Sequence, residues 1–82
     1  MYENYYQNNP TPNYRQRVTM QQAQEIALKR VPGNVVHVDL DLENGVLVYE
    51  VFILTADNRI VEVEIVARSG RILKIEQEND LD

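Results

Sequence analysis

The 82 residues contain no cysteine and no tryptophan. Without thiols there is no disulfide framework, no thiolate nucleophile and no cysteine-held metal. A single histidine, His37, is too few for a histidine-built metal cage or a two-histidine mechanism. Long apolar runs are missing too. The longest, Val46 to Leu54, is broken by Glu50, so no apolar run is expected to span a membrane. Lysine and arginine number 8 against 13 acidic residues, for a net charge of −5. That balance argues against nucleic acid as a partner, which needs a basic face. The 3 glycines fall at expected turns and a helix end, which leaves no glycine-rich phosphate loop. Length and composition allow one small domain and name no activity.

What is present divides by composition. Residues 1–17, MYENYYQNNPTPNYRQR, hold Tyr, Asn, Gln and Pro and no aliphatic residue after Met1. Such a stretch buries too little surface to offset the entropy of ordering it. It is expected to be a flexible tail or linker. Its tyrosines (Tyr2, Tyr5, Tyr6 and Tyr14) also suit a docking peptide. No apolar run of signal-peptide length stands in it. The last residues, 78–82, are expected to form a frayed acidic end.

Between these ends the period of hydrophobicity changes once. Thr19 suits a helix N-cap, with Gln22 as its capping-box partner. Met20, Ala23, Ile26, Ala27 and Val31 recur at helical spacing, and Pro32-Gly33 stops the run. A helix is therefore expected over about 19–31. From Val36 the period is two. Val36, Val38, Leu40 and Leu42 alternate with His37, Asp39 and Asp41. Asn44-Gly45 marks a two-residue hairpin turn. Further strands are expected at 46–55, 59–67 and 71–77. They are joined by three-residue loops at Ala56-Asp57-Asn58 and Arg68-Ser69-Gly70.

Turn length fixes register. These turns pair Leu42 with Leu47, Leu40 with Tyr49, Val38 with Val51 and Val36 with Ile53. They pair Val51 with Val63 and Tyr49 with Ile65, and then Ile65 with Leu73 and Val63 with Ile75. Every pair is apolar on both sides, and the helix stripe is the natural cover for that face. The expected fold is α+β, one N-terminal helix on a four-stranded antiparallel β-meander.

Placed in that order, several segments resemble the PepSY family. Val18-Thr19-Met20, Gln22-Ala23 and Ile26-Ala27 are similar to its helix. Asn44-Gly45 and Val48-Tyr49-Glu50-Val51 are similar to its second strand, and Ala67-Arg68-Ser69-Gly70-Arg71-Ile72-Leu73 to its closing motif. The likeness covers about 18–76. Val66 stands where the family usually has Asp, and Ser69 where it usually has Thr. The family occurs in propeptides of secreted thermolysin-like proteases, in a spore-germination protein and in small secreted or membrane-anchored bacterial proteins. The resemblance implies a non-enzymatic protein-binding module outside the cytoplasm. It would regulate or inhibit a protease, or serve as an intramolecular chaperone-like unit of a larger exported protein. No cofactor and no metal ligand are assigned from the sequence.

The sheet face turned away from the helix carries the remaining signals. The expected register aligns Asp39, Glu50, Glu64 and Lys74 in one row across all four strands. Four readings of that row stand open. They are a carboxylate pair for acid–base work, a calcium site of Asp39, Glu50 and Glu64, a surface for a basic partner segment, and a solvated face. An open face is expected to offer no cleft that shifts a carboxylate pKa. Apolar residues share the face, with Val48, Val66 and Ile72 expected in one row and Leu54 beside Ile60 in another. Clusters of that kind mark interfaces. The candidate partner-binding residues are Asp39, Glu50, Phe52, Glu62, Glu64, Val66 and Lys74. The alternative is a structural homodimerisation domain using this face or an edge strand. His37 is expected to pack across from Phe52, and Tyr49 to lie in the core with its hydroxyl reaching an edge or a water.

Overall fold

The computed structural model describes residues 17–78. The expectations for the tail before Arg17 and for residues 79–82 lie outside them. One helix, α1 (Met20–Arg30), precedes four strands: β1 (Asn34–Glu43), β2 (Val46–Leu54), β3 (Ile60–Val66) and β4 (Ile72–Glu78). The sheet is an antiparallel meander in the order β1-β2-β3-β4. The expected α+β class is the observed one.

Local chemistry accounts for the helix ends. The Thr19 side chain accepts from the Gln22 backbone N–H at 3.0 Å, and the Gln22 side chain accepts from the Thr19 N–H at 2.8 Å. Lys29 and Arg30 occupy the last turn, where the helix dipole favours cations. Ala23 and Ala27 are fully buried on the sheet, with Val18, Ile26, Leu28 and Val31 packed around them. Two small residues on that stripe let the helix sit close. Met20, expected on the stripe, is 47% exposed. The first turn projects past the core.

The core holds Tyr49, Val51, Ile53, Val63, Ile65 and Ala67. A helix of 11 residues is only about 16 Å long, far shorter than β1. Leu40 and Leu42 therefore point to the helix side but stay exposed at 43% and 65%. Tyr49 buries its ring in the core and donates its hydroxyl to the Val18 carbonyl at 2.8 Å. Val18 in turn donates its N–H to Ala67 O at 2.8 Å. These two bonds tie the start of the helix to the middle of the sheet.

Two of the three turns match their expected form. Asn44 and Gly45 both have positive φ, as a type I′ turn requires, and Asn58 is left-handed at φ 67°. Thr55 and Arg59 close the second loop. The third loop is one residue longer than expected. Val66 N–H bonds Arg71 O, so Ala67 belongs to the loop together with Arg68, Ser69 and Gly70. The cause is tertiary. Ala67 turns inward, is 1% exposed, and donates to Leu47 O at 3.0 Å.

Two bulges correct the expected register. On β1 the pairing shifts between Val35 and His37, so Val35 opposes Ile53 and packs on the core, while Val36 is 52% exposed. Gly33 explains the tight entry to this strand. A Cβ there would run into the Leu54 carbonyl oxygen and stand 2.7 Å from Ile53 Cγ2. On β4 the longer loop brings Ile72, not Leu73, opposite Ile65, and a bulge at Leu73 restores the register at Glu64 and Lys74. Ile72 consequently joins the core face and leaves the outer row expected to hold it.

The outer face is not a plain solvated surface. Val48 is completely buried and Glu64 is 3% exposed, although both point away from the helix. Val48→Ala should therefore destabilise the domain as much as Val51→Ala. Each is expected to cost roughly 1–3 kcal/mol through lost burial and a cavity. Urea unfolding monitored by circular dichroism measures both. A Val48 cost within a few tenths of zero would contradict the burial of that face.

Candidate partner-binding face

The alternation of β-strands delivers every second residue to the outer face. Observed pairing aligns His37, Phe52, Glu62 and Glu76 in one row. The next row holds Asp39, Glu50, Glu64 and Lys74, as the turns imply. Beyond it, Asp41, Val48 and Val66 share a row. On the far side Leu54 opposes Ile60. All seven candidate partner-binding residues thus lie on one surface. Glu64 is at its centre, with Glu50 on one flank and Lys74 on the other.

The acids do not group as the sequence suggests. Asp39 turns to His37, whose imidazole Nε2 lies 3.0 Å from Asp39 Oδ2. That histidine also packs its ring 5.6 Å from the Phe52 ring, centroid to centroid, in a tilted arrangement. Asp39 is therefore not brought together with Glu50 and Glu64, and the proposed calcium trio does not form. Glu62 takes its place. Glu50, Glu62 and Glu64 hold carboxylate oxygens within 4.8 Å of one another. Two further trios overlap this one, Asp41 with Glu43 and Glu50, and Glu62 with Glu76 and Glu78. Glu43 and Glu78 were not among the candidates. The spacing Asp41-x-Glu43 and Glu76-x-Glu78 would have placed them on this face.

Such crowding has an electrostatic consequence. Glu50 is pushed up from 4.5 to about 7, first by burial, then by a proton shared with Glu43 and by the charges of Glu62, Asp41 and Glu43. Glu62 is likewise raised to about 7, by burial first and then by Glu64 and Glu78. The expectation that an open sheet face cannot shift a carboxylate is wrong for this sheet. Burial is the first cause of both shifts, ahead of the neighbouring charges. Lys74 is the counter-charge. Its Nζ lies 3.2 Å from Glu76 and 3.7 Å from Glu64, and these acids, Glu76 first, raise its pKa.

At the other end of the sheet a groove of about 380 Å³ is lined by Arg17, Leu42, Val46, Leu47, Val66 and Arg68, with Gly45 and Ala67. Its walls are cationic and apolar. They supply neither a nucleophile nor a base for acyl or glycosyl transfer.

Because both raised glutamates hold their protons more tightly folded than unfolded, protonation favours the fold. That contribution is fully present below about pH 4.5 and is lost as the pH rises through about 7. The melting temperature should therefore rise when the pH is lowered from about 8 to about 5, and Glu50→Gln with Glu62→Gln should flatten the rise. Thermal unfolding across that range decides it. A melting temperature that falls on acidification in this window contradicts the assignment.

Comparison with known proteins places this geometry in context. The family model described as "Peptidase propeptide and YPEB domain" (PepSY) matches residues 17–76. The uncharacterized protein YkoJ of Bacillus subtilis (strain 168) is 42% identical over 59 residues, covering 72% of this chain and 35% of its own length. The crystal structure of a "putative lipoprotein" from Clostridium difficile 630 superposes with a TM-score of 0.71 at 35% identity, covering 76% of this chain and 40% of that one. The chain thus spans well under half the length of either relative.

Proposed function

Since the chain belongs to the PepSY family, we propose that it is a non-catalytic module that binds a protein partner through the outer face of its sheet. The partner is a protease that it restrains, or the remainder of a longer parent chain. The observation that carries this reading is the outer face itself. It combines clustered carboxylates with the part-exposed Phe52, Leu54, Ile60 and Val66, and no described element packs on it. Mixed acidic and apolar surface of this kind suits a partner better than it suits water.

An extracytoplasmic place fits the family and the lipoprotein neighbour. Among the described residues no helix is long and apolar enough to cross a membrane. The homodimer alternative has less support. Both edge strands carry a bulge, a device that works against edge-to-edge pairing.

The test is a protease assay. Added to a secreted thermolysin-like metalloprotease, the chain should slow cleavage of a fluorogenic peptide, and backbone amides of β2 and β3 should gain protection from hydrogen exchange. Glu50→Gln with Glu64→Gln should weaken both effects. Unchanged cleavage together with unprotected β2 and β3 would overturn the protease reading. A sedimenting mass that doubles with concentration would favour the homodimer.

A further inference from the structure

We propose that the groove at the turn end of the sheet, between Arg17 and Arg68, binds an acidic residue of an extended partner segment, with the apolar neighbours of that residue laid on Leu42 and Val46. This groove is separate from the acidic face, and neither reading depends on the other.

One backbone contact brings the arginines together. Val18 donates its N–H to the Ala67 carbonyl at 2.8 Å. The residues just beyond that bond, Arg17 before the helix and Arg68 in the last loop, therefore meet at one groove. Both sides of the bond are anchored in the core. Ala67 is 1% exposed and donates to Leu47 O at 3.0 Å, and the Val18 carbonyl accepts the Tyr49 hydroxyl at 2.8 Å. The loop itself is closed by Val66 N–H on Arg71 O at 2.9 Å and by Gly70 N–H on Val66 O at 2.8 Å. Like charges held together on a fixed backbone repel. No carboxylate lines the groove to offset them, and the described ion pairs lie elsewhere, on His37, Arg59 and Lys74. In a chain of net charge −5 this is a local reversal of sign.

The kind of ligand follows from the donors and the walls. A guanidinium presents planar pairs of N–H groups that match the two oxygens of a carboxylate. The walls then select what carries the carboxylate. Leu42 is 65% exposed and Val46 41%, so open apolar surface stands beside the arginines, with the part-buried Leu47 and Val66 next to it. An inorganic anion gains nothing from those walls, and a purely apolar segment leaves the arginines unanswered. An extended segment that alternates apolar and acidic side chains uses both. Because the backbone under each arginine is already fixed, less ordering is lost when the segment binds.

The experiment uses the full chain, labelled for NMR. Three probes are titrated into it. They are a pentapeptide with blocked ends, glutamate between two leucines and alanine at each terminus; the same peptide with glutamine for glutamate; and sodium phosphate alone. The glutamate peptide should shift the amides of Gly45, Val46, Ala67 and Arg68 and leave those of Glu50, Glu62 and Glu64 in place. Its affinity should fall at high salt. Arg68→Gln should weaken it about tenfold. Arg68→Lys should recover only part of that loss, since the charge returns without the planar fork. Arg68 is exposed, so neither change should move the melting temperature. Leu42→Gln should weaken the glutamate peptide and leave any phosphate effect unchanged. Equal shifts with the glutamine peptide would overturn the carboxylate. Phosphate matching the glutamate peptide in shifts and affinity would overturn the apolar contribution and leave a plain anion site. A sedimenting mass that rises with concentration, and no longer does so in Arg17→Gln with Arg68→Gln, would assign the groove to a second copy and overturn the separate partner. No shift with any probe would overturn the site and leave the reading of the outer face untouched.

Discussion

Alternation is the constraint on which the rest depends. A strand sends successive side chains to opposite faces, so a single pairing decision settles which residues of this acidic chain become neighbours. The Asn44-Gly45 turn and the loop closed by Thr55 and Arg59 set that decision for β1, β2 and β3. The apolar series then lies under the helix, and Asp39, Glu50 and Glu64 must share a row on the other side. A one-residue slip of β2 against its neighbours would bring charged side chains onto the core face. The like-charge row is thus a direct consequence of building the core.

That consequence is managed in three ways visible in the structure. Asp39 is drawn off by His37. Lys74 stands at the end of the row and faces Glu64 and Glu76. Glu50 and Glu62 retain protons near neutral pH. None of these gives the buried Glu64 a close donor. Glu64 is held at the centre of the face with Lys74 as its nearest counter-charge, an arrangement that costs some stability.

Much of this was legible in the sequence, for physical reasons. Asn-Gly and left-handed Asn or Gly positions have few alternative conformations, so turns at 44–45 and 56–58 and the left-handed Gly70 follow from residue type. The capping box at Thr19 and Gln22 is equally local. The bulges were not legible, because each falls between adjacent apolar residues. Val35 and Val36, or Ile72 and Leu73, serve the core equally well by hydrophobicity, so pattern alone cannot choose between them. The choice was made by Gly33 against Leu54 and by Ala67 bonding to Leu47, both of which are tertiary. At the site, the row through Glu50 and Glu64 could be read from register. The regrouping around Glu62 could not, because it depends on Asp39 turning sideways to His37. The burial of Val48 was missed because a face without a covering element was taken as wet.

The most direct measurement is a carbon-detected NMR titration of every glutamate carboxyl in the folded chain. Glu50 and Glu62 are expected to titrate with midpoints of about 7, each moving when the other is changed to glutamine. If both instead titrate at the ordinary value near 4.5, the outer face is wet, its acids are independent, and the crowding described for it does not stand.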